Sequence, residues 1–76
     1  MKVKIRSVGL LKRHTGGREL CILEIPADSS VREALEIAGI PSAEVMAVSV
    51  NQEREDKDFI LSEGDELLLI PFIGGG

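Results

Sequence analysis

The stretch Leu67-Leu68-Leu69-Ile70-Pro71-Phe72-Ile73-Gly74-Gly75-Gly76 sets seven apolar residues in a row before three glycines. A strand that is apolar on both of its faces has no side suited to water, so it belongs in the middle of a sheet. The glycines after it add nothing to a core and lose more backbone freedom on ordering than any other residue. Residues 1–73 therefore read as one domain and 74–76 as a flexible tail. Such a tail is either a frayed end or a means of presenting an α-carboxylate to another molecule.

Working outward, Ser62-Glu63-Gly64-Asp65 supplies the turn before this last strand, and Val45 to Val50 forms an earlier strand. Alternation places Met46, Val48 and Val50 on one face of that earlier strand. Asn51-Gln52 marks a turn, and Glu53 to Asp58 is an exposed short strand or loop anchored by Phe59 and Leu61. At the other end of the chain, Val3 and Ile5 alternate with Lys2, Lys4 and Arg6, the pattern of a half-buried strand over residues 2–8. Leu10 and Leu11 break this alternation, which predicts a bulge near Gly9. After the turn residues His14-Thr15-Gly16-Gly17, Glu19 to Ile25 returns as the second strand of a hairpin, with Cys21, Leu23 and Ile25 on one face.

Between the hairpin and the third strand lies one helix. Ser30-Val31-Arg32-Glu33 fits a capping box, in which the serine and glutamate side chains each satisfy an orphan backbone N–H of the other. Val31, Ala34, Leu35 and Ala38 form one apolar stripe, and Gly39 and Pro41 end the helix. One stripe covers one sheet face. The order β-β-α-β-(β)-β, with the last strand central beside the first, predicts an α+β chain of β-grasp (ubiquitin-like) type: a four- to five-stranded mixed sheet with one helix packed on one face.

The bulk properties narrow the function. Seventy-six residues make one domain and leave little room for an internal catalytic cavity beside a core. The net charge is −4, yet Lys2, Lys4, Arg6, Lys12, Arg13 and Arg18 all precede the first acid, Glu19. The later acidic excess reads either as a face that steers a basic partner or as solvated strand and loop charges. Nucleic acid is not expected, because the basic segment is short and lacks aromatics for base stacking. No membrane association is expected either, since the longest apolar run is far below the roughly 18 residues of a spanning helix. The single cysteine points to a reducing, cytoplasmic setting.

Two short segments then carry a resemblance. Val48-Ser49-Val50-Asn51-Gln52-Glu53 and Leu61-Ser62-Glu63-Gly64-Asp65-Glu66-Leu67 resemble the "VNGE … L.DGDE" pattern of the MoaD and ThiS sulfur carriers. Ile70-Pro71-Phe72-Ile73-Gly74-Gly75-Gly76 resembles that family's apolar strand closing in Gly-Gly. The likeness spans essentially the whole chain. Gln52 departs from it, standing where the family has glycine, which puts the type of that turn in question. Gly74 departs from the molybdopterin branch, which often has Ala or Thr there. The length of the first hairpin leans toward that branch, so molybdopterin is expected before thiamine as the pathway.

The resemblance implies a carrier rather than an enzyme. The Gly76 carboxylate would be adenylated by a ubiquitin-activating-type enzyme using ATP, with no cofactor bound to this chain. A desulfurase or a rhodanese-like protein would supply sulfur to give a thiocarboxylate. A molybdopterin synthase large subunit or a thiazole synthase would then receive it. Gly74 and Gly75 would thread the tail, since three extended residues reach about 10 Å and pass a narrow channel without side chains. Phe72 and Ile73 are the candidate partner interface, the other reading being that both are core.

Other chemistry-bearing residues read as structural. Cys21 has no spaced partner to activate it and reads as a small buried hydrophobe. One His and one Cys make no metal site, and Glu53, Glu55, Asp56 and Asp58 lack calcium-loop spacing. Gly16-Gly17 is turn chemistry rather than a phosphate cradle. Two further functions remain open: a protein modifier joined to lysines through the same carboxylate, and a non-covalent β-grasp module that never uses its terminus. Covalent adducts mark the first; indifference to deleting Gly75 and Gly76 marks the second.

Overall fold

A computed structural model describes residues 1–72. Its five strands are β1 (Lys2–Ser7), β2 (Leu20–Glu24), β3 (Val45–Val50), β4 (Glu53–Glu55) and β5 (Glu66–Pro71). They form one sheet in the order β2-β1-β5-β3-β4. The last strand is central, as its unbroken apolar run requires. It runs parallel to β1 and antiparallel to β3, while β1 and β2 form the expected hairpin. This is the β-grasp arrangement, with α1 (Val31–Ala38) packed on one face.

The helix begins where the capping box predicts. The Glu33 N–H donates to Ser30 Oγ at 3.1 Å and the Ser30 N–H donates to Glu33 Oε1 at 2.9 Å. Gly39 ends it in the left-handed region at φ 77°, where a side chain would be strained. Val31, Ala34 and Leu35 pack into a core with Val3 and Ile5 of β1, Val48 and Val50 of β3, and Leu67 and Leu69 of β5. Leu61 is buried and Phe59 partly so, anchoring the loop after β4 as expected.

Three local expectations need correction. No bulge lies at Gly9; residues Gly9–Thr15 form a 3-10 helix instead. It turns Leu11 into the core and leaves Leu10 71% exposed. In β3, Val48 and Val50 face the core as expected, but Met46 does not share their face. Val45 and Ala47 pair with the consecutive residues Pro71 and Ile70, so Met46 is an extra residue on its strand. That bulge shifts the phase, burying Val45 while Met46 stands 43% exposed. Cys21 does face inward opposite Ile5, but it is only half-buried because β2 is an edge strand.

Candidate functional site

The two segments that carry the resemblance meet in space. Asn51 and Gln52 both have positive φ, 51° and 74°, as a tight two-residue hairpin turn demands. Gln52 thus adopts a backbone geometry suited to glycine. Asn51 stabilises the turn through its amide: Nδ2 donates to Asp65 Oδ1 at 2.9 Å, and its Oδ1 accepts from the Glu66 N–H at 3.0 Å. Asp65, 9% exposed, also accepts from the Ser62 N–H at 2.7 Å. The shared carboxylate and amide therefore fix the start of β5 against the end of β3. They set the register of the strand that leads toward the tail.

β5 divides its side chains between two environments. Leu67 and Leu69 are fully buried beneath α1, whereas Leu68 and Ile70 lie half-buried on the face that no helix covers. Around them on that open face stand Arg6 of β1, Ser49 and Ala47 of β3, and Leu20 of β2, placed by the pairing register. Arg6 donates to Glu19 at 2.8 Å and to Glu66 at 3.5 Å. These exposed pairs orient the guanidinium more than they stabilise the fold. The open face is therefore apolar along its centre and carries Lys4, Arg6 and Arg54 beside Glu66, while Glu53, Glu55, Asp56 and Asp58 sit on β4 and the loop after it.

At the C-terminal end of β5 the apolar strip continues to Phe72, which is 58% exposed. A depression of about 320 Å³ lies there, lined by Leu10, Leu11, Arg13, Ala43, Glu44, Pro71 and Phe72. Its two sides, the 3-10 helix and the short turn Ser42–Glu44, are tied together by Glu44. That carboxylate lies 2.9 Å from His14 Nε2 and 2.7 Å from Arg13 Nη2. The hydrogen bond from His14, then that from Arg13 and their positive charges, hold Glu44 below the ordinary carboxylate value. This contact joins residues 30 positions apart in the chain and has no signature in the sequence.

Of the residues singled out for function, the structure describes Phe72 alone. Ile73, Gly74, Gly75 and Gly76 lie outside the described residues, as does the boundary drawn between domain and tail. Among the described residues no three His, Cys, Asp or Glu side chains gather as a metal set, and no helix is long and apolar enough to cross a membrane.

The ThiS family model matches residues 9–76 of the chain, which takes in both resembling segments and the glycine end. The chain belongs to the ThiS family. Solved structures agree on the fold. SAMP1 from Haloferax volcanii superposes with a TM-score of 0.76 at 21% identity, covering 100% of both chains. The Pyrococcus furiosus protein described as molybdopterin converting factor subunit 1 gives 0.74 at 21% identity, over 96% of this chain and 99% of that one. A chain of the BexX/CysO complex from Amycolatopsis orientalis gives 0.70 at 22% identity, over 97% and 99%. At these identities the likeness shows the fold: a ubiquitin-like β-grasp. A search of curated protein sequences finds no match. Members of the ThiS family are small carrier proteins rather than catalysts.

Proposed function

We propose that this ThiS-family chain carries sulfur as a thiocarboxylate on Gly76. The observation that carries the reading is the apolar pair Leu68 and Ile70 on the open face of β5 with the exposed Phe72 just beyond the strand. A partner docked there would receive the tail at a fixed place. The chemistry then belongs to the partner. The carboxylate oxygen attacks the α-phosphorus of ATP, pyrophosphate leaves, and the acyl adenylate becomes an electrophile that a carboxylate is not. Sulfide then displaces AMP and leaves the thiocarboxylate directly. A donor persulfide instead leaves an acyl disulfide, which a second thiol must reduce, departing as a disulfide with the donor, to free the thiocarboxylate. Gly74 and Gly75 would thread the enzyme's channel, and Phe72 and Ile73 would contact its surface.

The proposed partners are a ubiquitin-activating-type adenylating enzyme, a desulfurase or rhodanese-like sulfur source, and an acceptor synthase. Molybdopterin synthesis is proposed ahead of thiamine synthesis, with support from the converting-factor likeness and from the length of the first hairpin. The CysO likeness supports a standing complex with a partner enzyme. A second reading, conjugation to protein lysines through the same activated carboxylate, draws support from the likeness to SAMP1, an archaeal protein modifier by the name of a related structure.

Intact-mass spectrometry after incubation with the host's adenylating enzyme, ATP and a sulfur donor tests the carrier reading. The expected product has one oxygen replaced by sulfur, located at Gly76 by fragmentation. Gly75→Leu should abolish that product while leaving the circular dichroism unchanged. An unaltered carboxylate under all these conditions would falsify the carrier reading, and lysine-linked ladders would transfer it to the modifier.

A further inference from the structure

The sheet has two free edges, β2 and β4. β4 presents Glu53, Arg54 and Glu55, the kind of charged edge that deters strand addition. β2 presents Leu20 at 42% and Ile22 at 67% exposure. Its hydrogen-bonding phase is fixed by β1: the Ser7 N–H donates to Glu19 O and the Ile25 N–H to Met1 O, each at 2.8 Å. Cys21, opposite Ile5, follows the same phase. Odd-numbered residues of β2 thus point their backbone groups at β1, and Leu20, Ile22 and Glu24 point theirs off the edge. A depression of about 480 Å³, lined in part by Cys21, Leu23, Ala38 and Ile40, runs beside that edge on the helix side.

We propose that this edge pairs with β2 of a second copy of the chain, antiparallel about a two-fold axis at Cys21. In that register Leu20 of each copy faces Ile22 of the other, and these residues exchange the backbone hydrogen bonds that now point outward. Arg18 of each copy, in the turn just before β2, comes to the end of the partner strand that carries Glu24; neither side chain has an ion-pair partner among the described residues. Centring the axis on Ile22 instead would set Leu20 against Glu24. Centring it on Leu20 would set Arg18 against Ile22. Only the Cys21 axis matches apolar with apolar and charge with opposite charge, on both sides of a self-complementary interface. β1 separates β2 from β5, so Leu68, Ile70 and Phe72 stay accessible in both copies.

Sedimentation equilibrium of the full chain under reductant, over a concentration series, tests the pairing. The mass should rise from 8.2 kDa toward twice that value. Ile22→Lys should hold it at 8.2 kDa with unchanged circular dichroism. Arg18→Glu and Glu24→Arg should each weaken association by about fivefold or more, and the double reversal should restore it. The two Cys21 thiols would form a non-hydrogen-bonded pair with Cα atoms about 4.5 Å apart, within disulfide reach. Diamide, which takes up two electrons and two protons from the two thiols, should therefore cross-link them. A monomer up to about 1 mM protein, a dimer indifferent to Ile22→Lys, or single reversals that weaken association without rescue by the double would each overturn the proposal.

Discussion

Leu67 and Leu68 are the same residue one position apart, yet they do opposite work. Leu67 is fully buried beneath α1 and Leu68 is half-buried on the bare face. The covered side of the sheet is held by close packing, where lost volume costs both transfer energy and a cavity. The open side keeps leucine, isoleucine and finally phenylalanine without a helix over them. Folding does not require that second apolar row. That row, in line with the exit from β5, is the surface proposed above for a partner.

The contrast predicts unequal costs. Leu67→Ala should lower unfolding free energy by about 3 kcal/mol or more, and Leu68→Ala by roughly 1 kcal/mol or less, by urea denaturation. Equal losses would mean that the two faces do the same work. The next largest effect belongs to docking. Phe72→Asp should weaken binding to the adenylating enzyme by about tenfold while moving stability by less than about 0.5 kcal/mol. A substitution that unfolds the chain instead would place Phe72 in the core.

Even the covered face has one discordant member. Ser7 is fully buried on β1 and its hydroxyl has no hydrogen-bond partner among the described residues. Ser7→Ala should raise stability by up to about 1 kcal/mol, and a loss of that size would reveal a hidden partner. The smallest expected effect is at Glu44, beside the exit of β5. Its folded pKa is depressed, so its contribution is fully present above the ordinary value of 4.5 and fades as pH falls through the lower folded value. Glu44→Gln should flatten the stability profile in that acid range, read by urea denaturation across pH.

Much of this was legible in the residues. Seven apolar positions in a row place β5 at the centre of the sheet, and Ser30 with Glu33 marks the helix start to the residue. What escaped has physical reasons. A bulge changes the phase of a strand without leaving a mark on its alternation, so Met46 reads as core and is not. The segment Gly9–Thr15 buries only Leu11 and shows no apolar period, so it reads as an irregular strand end. The link of His14 and Arg13 to Glu44 depends on how distant turns approach, which local pattern does not encode. Of the site itself, a strand apolar on both faces beside a single helix foretold a second, uncovered apolar row, but which residues fill it needed the helix in place.

The parallel pairing of β1 with β5 also bears on how the chain is made. Lys4 opposes Glu66 and Ser7 opposes Leu69, pairs about sixty residues apart. Translation delivers β1 first and β5 last, so β1 and β3 wait without the strand that joins them. The hairpin and helix can form early, but the core closes only after Leu69 has emerged. Such long-range closure is slow compared with local contacts. A ribosome that stalls before Glu66 therefore releases a chain in which β1 and β3 each gain an open edge, a substrate for proteases rather than a defective carrier.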